Sequence, residues 1–178
     1  MFELFRYDFW RNESVDWTAY GEYSTFLFAN EAERIIEETS RSEDPFFLYL
    51  PFQSVHFPLE VPQIYKDLYP NEKDKQRQTY LGMITALDES VGRIIRKLKA
   101  TGQYENTVFA FSSDNGGLPN QGANNYPFRG WKFSLWQGGV RSAGFIAGPG
   151  VTPGGEYENL FHVVDWMPTL LDAIGVKR

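Results

Sequence analysis

In Thr107-Val-Phe-Ala-Phe-Ser-Ser-Asp-Asn-Gly-Gly117 an apolar run leads straight into a carboxylate, an amide and two glycines. A short, uniformly apolar run is the signature of a strand buried on both faces. Phe46-Phe-Leu-Tyr-Leu50 is a second such run. Between them Leu81, Ile84, Leu87, Val91, Ile94, Ile95 and Leu98 recur at the spacing of one helix face. Arg93, Arg96, Lys97 and Lys99 crowd its last turns, and Gly102 is a fitting stop. Strand, long helix and strand make a β-α-β unit, which predicts parallel strands joined by a right-handed crossover. Parallel strands end on one edge of the sheet. The loop that carries His56 and the turn that carries Asp114 and Asn115 are therefore expected on one side, where open α/β folds bind ligands.

Outward from this unit, Phe28, Ala32, Ile35 and Ile36 predict an amphipathic helix over about 24–41, broken by Ser42-Glu-Asp-Pro45. Ser142-Ala-Gly-Phe-Ile-Ala147 reads as a third strand, ended by Gly148-Pro149-Gly150. A helix over 165–174 closes the chain, with Asp165 placed to cap it and Pro168 in its first turn. Residues 1–22 read as an irregular segment and 23–178 as the folded domain. The fold class is α/β, with a mostly parallel sheet and helices on both faces.

The chemistry concentrates after residue 107. No acidic residue follows Asp114 until Glu156, while Arg129, Lys132 and Arg141 fall in that interval. Hard cations such as Ca²⁺ take oxygen ligands, which Asp114 and Asn115 offer. An anion held beside such a cation takes Lys or Arg. Asx-Gly also opens ordinary turns, and taken alone the two readings stand level. Two oxygens fall short of the six or more that Ca²⁺ or Mg²⁺ needs, so further ligands must come from elsewhere. His56, in Gln53-Ser-Val-His-Phe-Pro58, is placed to donate to an anion or to protonate a leaving oxygen. His162, among apolar residues, reads as structural. Trp131, Phe133 and Trp136 read as packing residues, with a pocket wall as the alternative.

Composition narrows the field. A net charge of −6 argues against nucleic-acid binding through a broad basic face. The chain has no cysteine, which removes disulfides, zinc-thiolate sites and thiol nucleophiles. No apolar run is long enough for a membrane span, and Met1-Phe-Glu-Leu-Phe-Arg6 is no signal peptide. Asn12-Glu-Ser14 fits the N-glycosylation pattern, a pattern common by chance. Neither Gly-x-Ser-x-Gly nor a phosphate-binding Gly-x-x-x-x-Gly-Lys loop occurs.

Four motifs in order resemble the sulfatase family, in its arylsulfatase B-like branch. They are Phe46-Phe-Leu-Tyr-Leu-Pro-Phe-Gln-Ser-Val-His-Phe-Pro-Leu59, Phe111-Ser-Ser-Asp-Asn-Gly-Gly117, Arg129-Gly-Trp-Lys-Phe-Ser-Leu-Trp-Gln-Gly-Gly-Val-Arg141 and His162-Val-Val-Asp-Trp-Met-Pro-Thr-Leu170. The resemblance implies part of an alkaline-phosphatase-like α/β sandwich that hydrolyses sulfate esters, those of sulfated glycans included, around Ca²⁺. It implies Asp114 and Asn115 as calcium ligands, and His56 and Lys132 as catalytic, sulfate-contacting residues. Gln137 stands where the family usually has Glu. The family's nucleophile, a formylglycine made in a Cys/Ser-x-Pro-x-Arg motif, has no counterpart in these residues. The chain is thus expected to be the later part of a catalytic domain, inactive alone, of a secreted, lysosomal or periplasmic enzyme. A phosphodiesterase or phosphatase of the same superfold, and a non-catalytic binder of sulfated glycans or a partner protein, are the alternatives.

Overall fold

A computed structural model describes residues 7–176, so the reading of the first six residues lies outside the described residues. The chain gathers into two compact units. One comprises residues 1–98 with 120–123, and the other residues 99–119 with 124–178.

The first unit opens with a hairpin, β1 (Trp10–Arg11) against antiparallel β2 (Ser14–Val15), inside the stretch expected to be irregular. Asn12, at φ +54°, makes the turn. Asn tolerates that left-handed conformation better than most residues. Helix α1 (Ser24–Thr39) runs where the apolar spacing predicts and buries Thr25, Ala29, Ala32 and Ile36. After the short α2 (Gln63–Lys66) comes α3 (Lys75–Ala100), which buries Met83, Ala86, Ser90, Ile94 and Leu98 along one stripe. It starts earlier than the apolar pattern implies. Asp74 sits ahead of it, its Oδ1 accepting the Gln76 N–H at 2.9 Å and the Arg77 N–H at 3.3 Å, as an N-cap does.

Val61, Met83 and Ala86 form a core against which Tyr23, Phe26, Val55, Leu59 and Tyr65 pack. Charges tie α1 to α3. Arg93 Nη2 donates to Glu33 and Asn30 at 2.5 Å each, and Lys97 Nζ to Glu37 at 3.2 Å.

Glu31 on α1 gives a pH signature. The Arg34 guanidinium holds its carboxyl down at about 2, helped by Arg11 and opposed by desolvation. The folded value lies below the unfolded one of 4.5, so the stabilisation is complete above the unfolded value and lost as pH falls toward the folded one. Thermal melts of the chain and of Glu31→Gln are expected to differ by a constant margin between about pH 7 and 5, shrinking steadily below about 4.5. A margin that survives undiminished at about pH 3 contradicts this assignment.

The second unit carries β3 (Phe109–Ser112), the four-residue α4 (Gln137–Val140), β4 (Gly144–Ala147) and α5 (Trp166–Ala173). Both strands lie where the apolar runs predict, but their pairing corrects the expected parallel sheet. β3 and β4 are antiparallel, with Phe111 opposite Phe145 and Ser112 opposite Gly144. The reason is the connection. Residues 113–143 hold only single turns of helix, not a crossover helix, so the chain doubles back beside its own strand. Phe145 stacks on Phe111 at 5.4 Å and on Phe109 at 6.0 Å, which fixes the register through same-face aromatic pairs.

The remaining expected strand, 46–50, belongs to the first unit and forms no ladder among the described residues. Its backbone still alternates like a strand, with Phe47 and Tyr49 82% and 78% exposed and Phe46, Leu48 and Leu50 partly buried. Alternating exposure without a hydrogen-bonded neighbour does not make a strand.

Asp165 also plays a different part from the one expected. It makes no side-chain cap on α5 and instead accepts the His162 N–H at 2.6 Å, while His162 Nδ1 accepts from Val164 N at 3.3 Å. The pair is a reciprocal capping box around the single turn Val163–Asp165, so His162 has the structural role expected of it. Among the described residues, no helix is long and apolar enough to cross a membrane.

Candidate anion and metal site

Strand β3 delivers Ser112, Ser113, Asp114 and Asn115 into a loop that closes on itself. Ser113 N donates to Ala143 O at 2.9 Å, continuing the strand pairing by one residue. Asp114 Oδ1 accepts the Asn115 N–H at 2.8 Å, and Asn115 Nδ2 donates to Gly116 O at 3.1 Å. Since the amide nitrogen is engaged with a carbonyl, Asn115 Oδ1 remains as the acceptor end of that side chain. The two adjacent side chains thus offer oxygens from one turn.

Why the loop can come so close to its neighbours is written in glycine. Gly116 N donates to Gly139 O at 2.9 Å, and Gly138 N to Arg129 O at 2.7 Å. A Cβ on Gly116 would lie 1.8 Å from Gly138 O, and one on Gly138 would lie 2.2 Å from Gly130 O. Three backbone segments, 114–117, 129–132 and 136–139, therefore touch at distances that side chains forbid. Lys132 N lies 3.5 Å from Gly117 O, which places Lys132 beside the loop of Asp114 and Asn115. So the structure brings Asp114, Asn115 and Lys132 into one knot.

Asn125 is part of this knot, and motif reasoning passed over it. Its Oδ1 accepts the Gly117 N–H at 3.0 Å, and its Nδ2 donates to Gly117 O at 2.9 Å and to Gly130 O at 3.2 Å. In sequence it sits in Asn124-Asn-Tyr-Pro127, which signals a loop and nothing more. Arg129 stacks its guanidinium 3.8 Å above the Trp136 ring, and Arg141 lies 4.8 Å over Phe128 while donating to Gln137 Oε1 at 3.4 Å. Trp131, Phe133 and Trp136, expected as packing residues, are exposed by 53%, 88% and 52%. The knot is held mainly by backbone and glycine contacts, with the Trp136 side chain at its edge against Gly130 and Arg129.

His56 belongs to the first unit. Its Nδ1 lies 2.8 Å from the Phe57 carbonyl oxygen, which can only accept, so the neutral ring carries its proton on Nδ1. Nε2 becomes a donor when the ring is protonated. The loop that holds it is anchored to α1, since Ser54 Oγ pairs with the fully buried Thr25 Oγ1 at 2.6 Å. Beside it opens a cleft of about 370 Å³ lined by Tyr23, Ser24, Gln53, Ser54 and Glu60.

For a cation the donor set is right in kind and short in number. Asp114 and Asn115 supply two oxygens, and among the described residues no group of three or more His, Asp or Glu gathers to hold a metal. A calcium shell built on these two residues would need further oxygens from an anion, water or other residues.

Residues 2–176 match the sequence profile described as Sulfatase. The chain belongs to the sulfatase family. It is 36% identical over 167 residues to arylsulfatase J of Mus musculus, covering 93% of this chain and 28% of that protein. N-acetylgalactosamine-6-sulfatase of Canis lupus familiaris is 31% identical over 157 residues, covering 85% and 29%. A crystal structure of Ps i-CgsB in complex with k-i-k-neocarrahexaose superposes with a TM-score of 0.83 at 36% identity, covering 88% of this chain and 35% of that one. The chain therefore spans about a third of the length of these proteins or less. The described residues of the chain themselves form a partial α/β structure.

Proposed function

We propose that this chain contributes the calcium- and sulfate-holding part of a sulfuric ester hydrolase site. The observation that supports the reading is the glycine knot, in which the backbone of Lys132 lies against the loop that carries Asp114 and Asn115, in a chain of the sulfatase family. Asp114 and Asn115 would hold calcium, which when bound draws charge from the sulfuryl oxygens. Lys132 contacts a sulfate oxygen and balances the charge that grows there in the transition state. His56, protonated, donates from Nε2 to a sulfate oxygen or to the departing alcohol. The alkaline-phosphatase-like sandwich and a secreted, lysosomal or periplasmic setting belong to the same proposal.

The attacking group is not among these residues, since they include no cysteine and no Ser-x-Pro-x-Arg. The 178 residues alone are accordingly expected to give no turnover of 4-nitrophenyl sulfate. A polypeptide that joins them to a nucleophile-bearing sulfatase segment is expected to cleave the sulfate ester in preference to 4-nitrophenyl phosphate. Preference for the phosphate would replace this reading with a phosphatase or phosphodiesterase. Tight binding of a sulfated oligosaccharide with no cleavage would replace it with a non-catalytic binder.

The leaving group is proposed to be a glycan hydroxyl. A neighbour of this chain was crystallised with a carrageenan-type hexaose, and an Ulvan-active sulfatase of Formosa agariphila is 29% identical over 188 residues. The polar side chains around the cleft at His56 are suited to sugar hydroxyls.

A further inference from the structure

Asn125 spends its whole carboxamide on two backbone segments. Oδ1 takes the Gly117 N–H, and the two hydrogens of Nδ2 go to the carbonyls of Gly117 and Gly130. The exchange with Gly117 copies the paired bonds of a β-ladder, with a side chain standing in for a strand. Gly117 lies two residues after Asn115, and Gly130 two residues before Lys132. The amide therefore spans the short gap between the proposed cation ligands and the proposed anion ligand. An anion gripped by both a cation and an ammonium needs those two charges at one fixed separation.

We infer that Asn125 is a positioning residue of this site, holding the Asp114–Asn115 oxygens in register with Lys132. The inference rests on the functional reading above and adds to it the residue that couples its two halves. The other links are weaker or indirect. Lys132 N reaches Gly117 O only at 3.5 Å, long for a hydrogen bond. The Gly116–Gly139 and Gly138–Arg129 bonds run through segment 136–139, whereas Asn125 bonds both Gly117 and Gly130 at 2.9–3.2 Å. Asn125→Asp keeps shape and the acceptor for Gly117 N–H, but turns an oxygen toward two carbonyl oxygens. Asn125→Ala removes all three bonds and adds no repulsion.

The test is a calcium titration of the ¹⁵N-labelled chain, read at backbone amides. In the wild type, shifts are expected at Asn115 and Gly116 and, through the amide staple, at Gly130 and Lys132. In both variants the first pair keeps its response while the second falls about fivefold, with Asp at least as damaging as Ala. Equal responses at Gly130 and Lys132 in wild type and variants overturn the inference and leave the calcium reading standing. No wild-type response at Asn115 and Gly116 overturns the calcium reading and the inference with it. A metal-free measurement covers variants that fail to fold. Through-hydrogen-bond couplings from Asn125 Nδ2 to the carbonyl carbons of Gly117 and Gly130 are expected in the wild type, and the absence of the Gly130 coupling overturns the inference.

Discussion

Gly116→Ala is expected to destabilise the chain by about 3 kcal/mol, the upper end for overpacking a tight interior. The added methyl would sit 1.8 Å from Gly138 O and 2.7 Å from Gly138 C. These are backbone atoms, so no rotamer change relieves the clash. Nor is segment 136–139 free to retreat, because Gly138 is buried, donates to Arg129 O, and would itself collide with Gly130 O if it gained a Cβ. For a chain of this length such a loss lowers the thermal midpoint by about 10 °C. Gly155→Ala is the control, since its nearest neighbour would be Thr152 O at 3.3 Å in an exposed loop, and it is expected to cost less than about 1 kcal/mol. Equal midpoints for the two variants would show that the knot is looser than its contacts imply.

The second large effect is on rate. Within a nucleophile-bearing polypeptide, Lys132→Ala is expected to lower kcat/KM for an aryl sulfate by about 10²–10³, the usual loss when one preorganised transition-state donor is removed. Lys132→Arg restores part of it, because charge returns but the fork-shaped guanidinium does not reproduce a point ammonium. Lys99, over the Tyr104 ring at 4.6 Å, is the matched control, and its alanine variant is expected to leave the rate unchanged. A fall in kcat and kcat/KM together marks an interaction made in the transition state, whereas a rise in KM alone marks ordinary binding. Loss confined to KM would remove Lys132 from the chemistry.

Helices were the easiest part of this fold to read. The existence of α3 shows in Leu81 through Leu98 because a 26-residue helix repeats its signal many times over. The stripe it buries (Met83, Ala86, Ser90, Ile94 and Leu98) is nevertheless turned from the expected face, leaving Ile84 exposed and Leu81, Leu87 and Val91 only partly buried. Its start was hidden, since that is set by one capping carboxylate at Asp74 and by no periodicity. Two strand positions, β3 and β4, were legible from runs of apolar residues. The run 46–50, however, forms no ladder among the described residues, the β1–β2 hairpin has no such run, and pairing was not legible. Which strand lies beside which depends on the connection, and the loop from 113 to 143 reads the same whether it crosses over or returns.

The candidate site divides in the same way. Asp114, Asn115, Lys132 and His56 carry chemistry in their residue types and stand in motifs. Asn125 carries only hydrogen-bonding capacity, and an asparagine beside Tyr-Pro is indistinguishable from a turn residue until its partners are known. Gly116, Gly130, Gly138 and Gly139 were visible as glycines, yet their mutual contact is a property of the folded backbone alone.

The central claim is that Lys132 holds an anion beside a cation bound at Asp114 and Asn115. Sulfate titrated into the labelled chain, with and without calcium, tests it most directly through the Lys132 Nζ and amide resonances. A saturable Lys132 response that strengthens with calcium, and that loses its calcium dependence in Asp114→Ala, is the result this account predicts. A Lys132 signal indifferent to sulfate, or one that answers equally whether or not calcium and Asp114 are present, contradicts it.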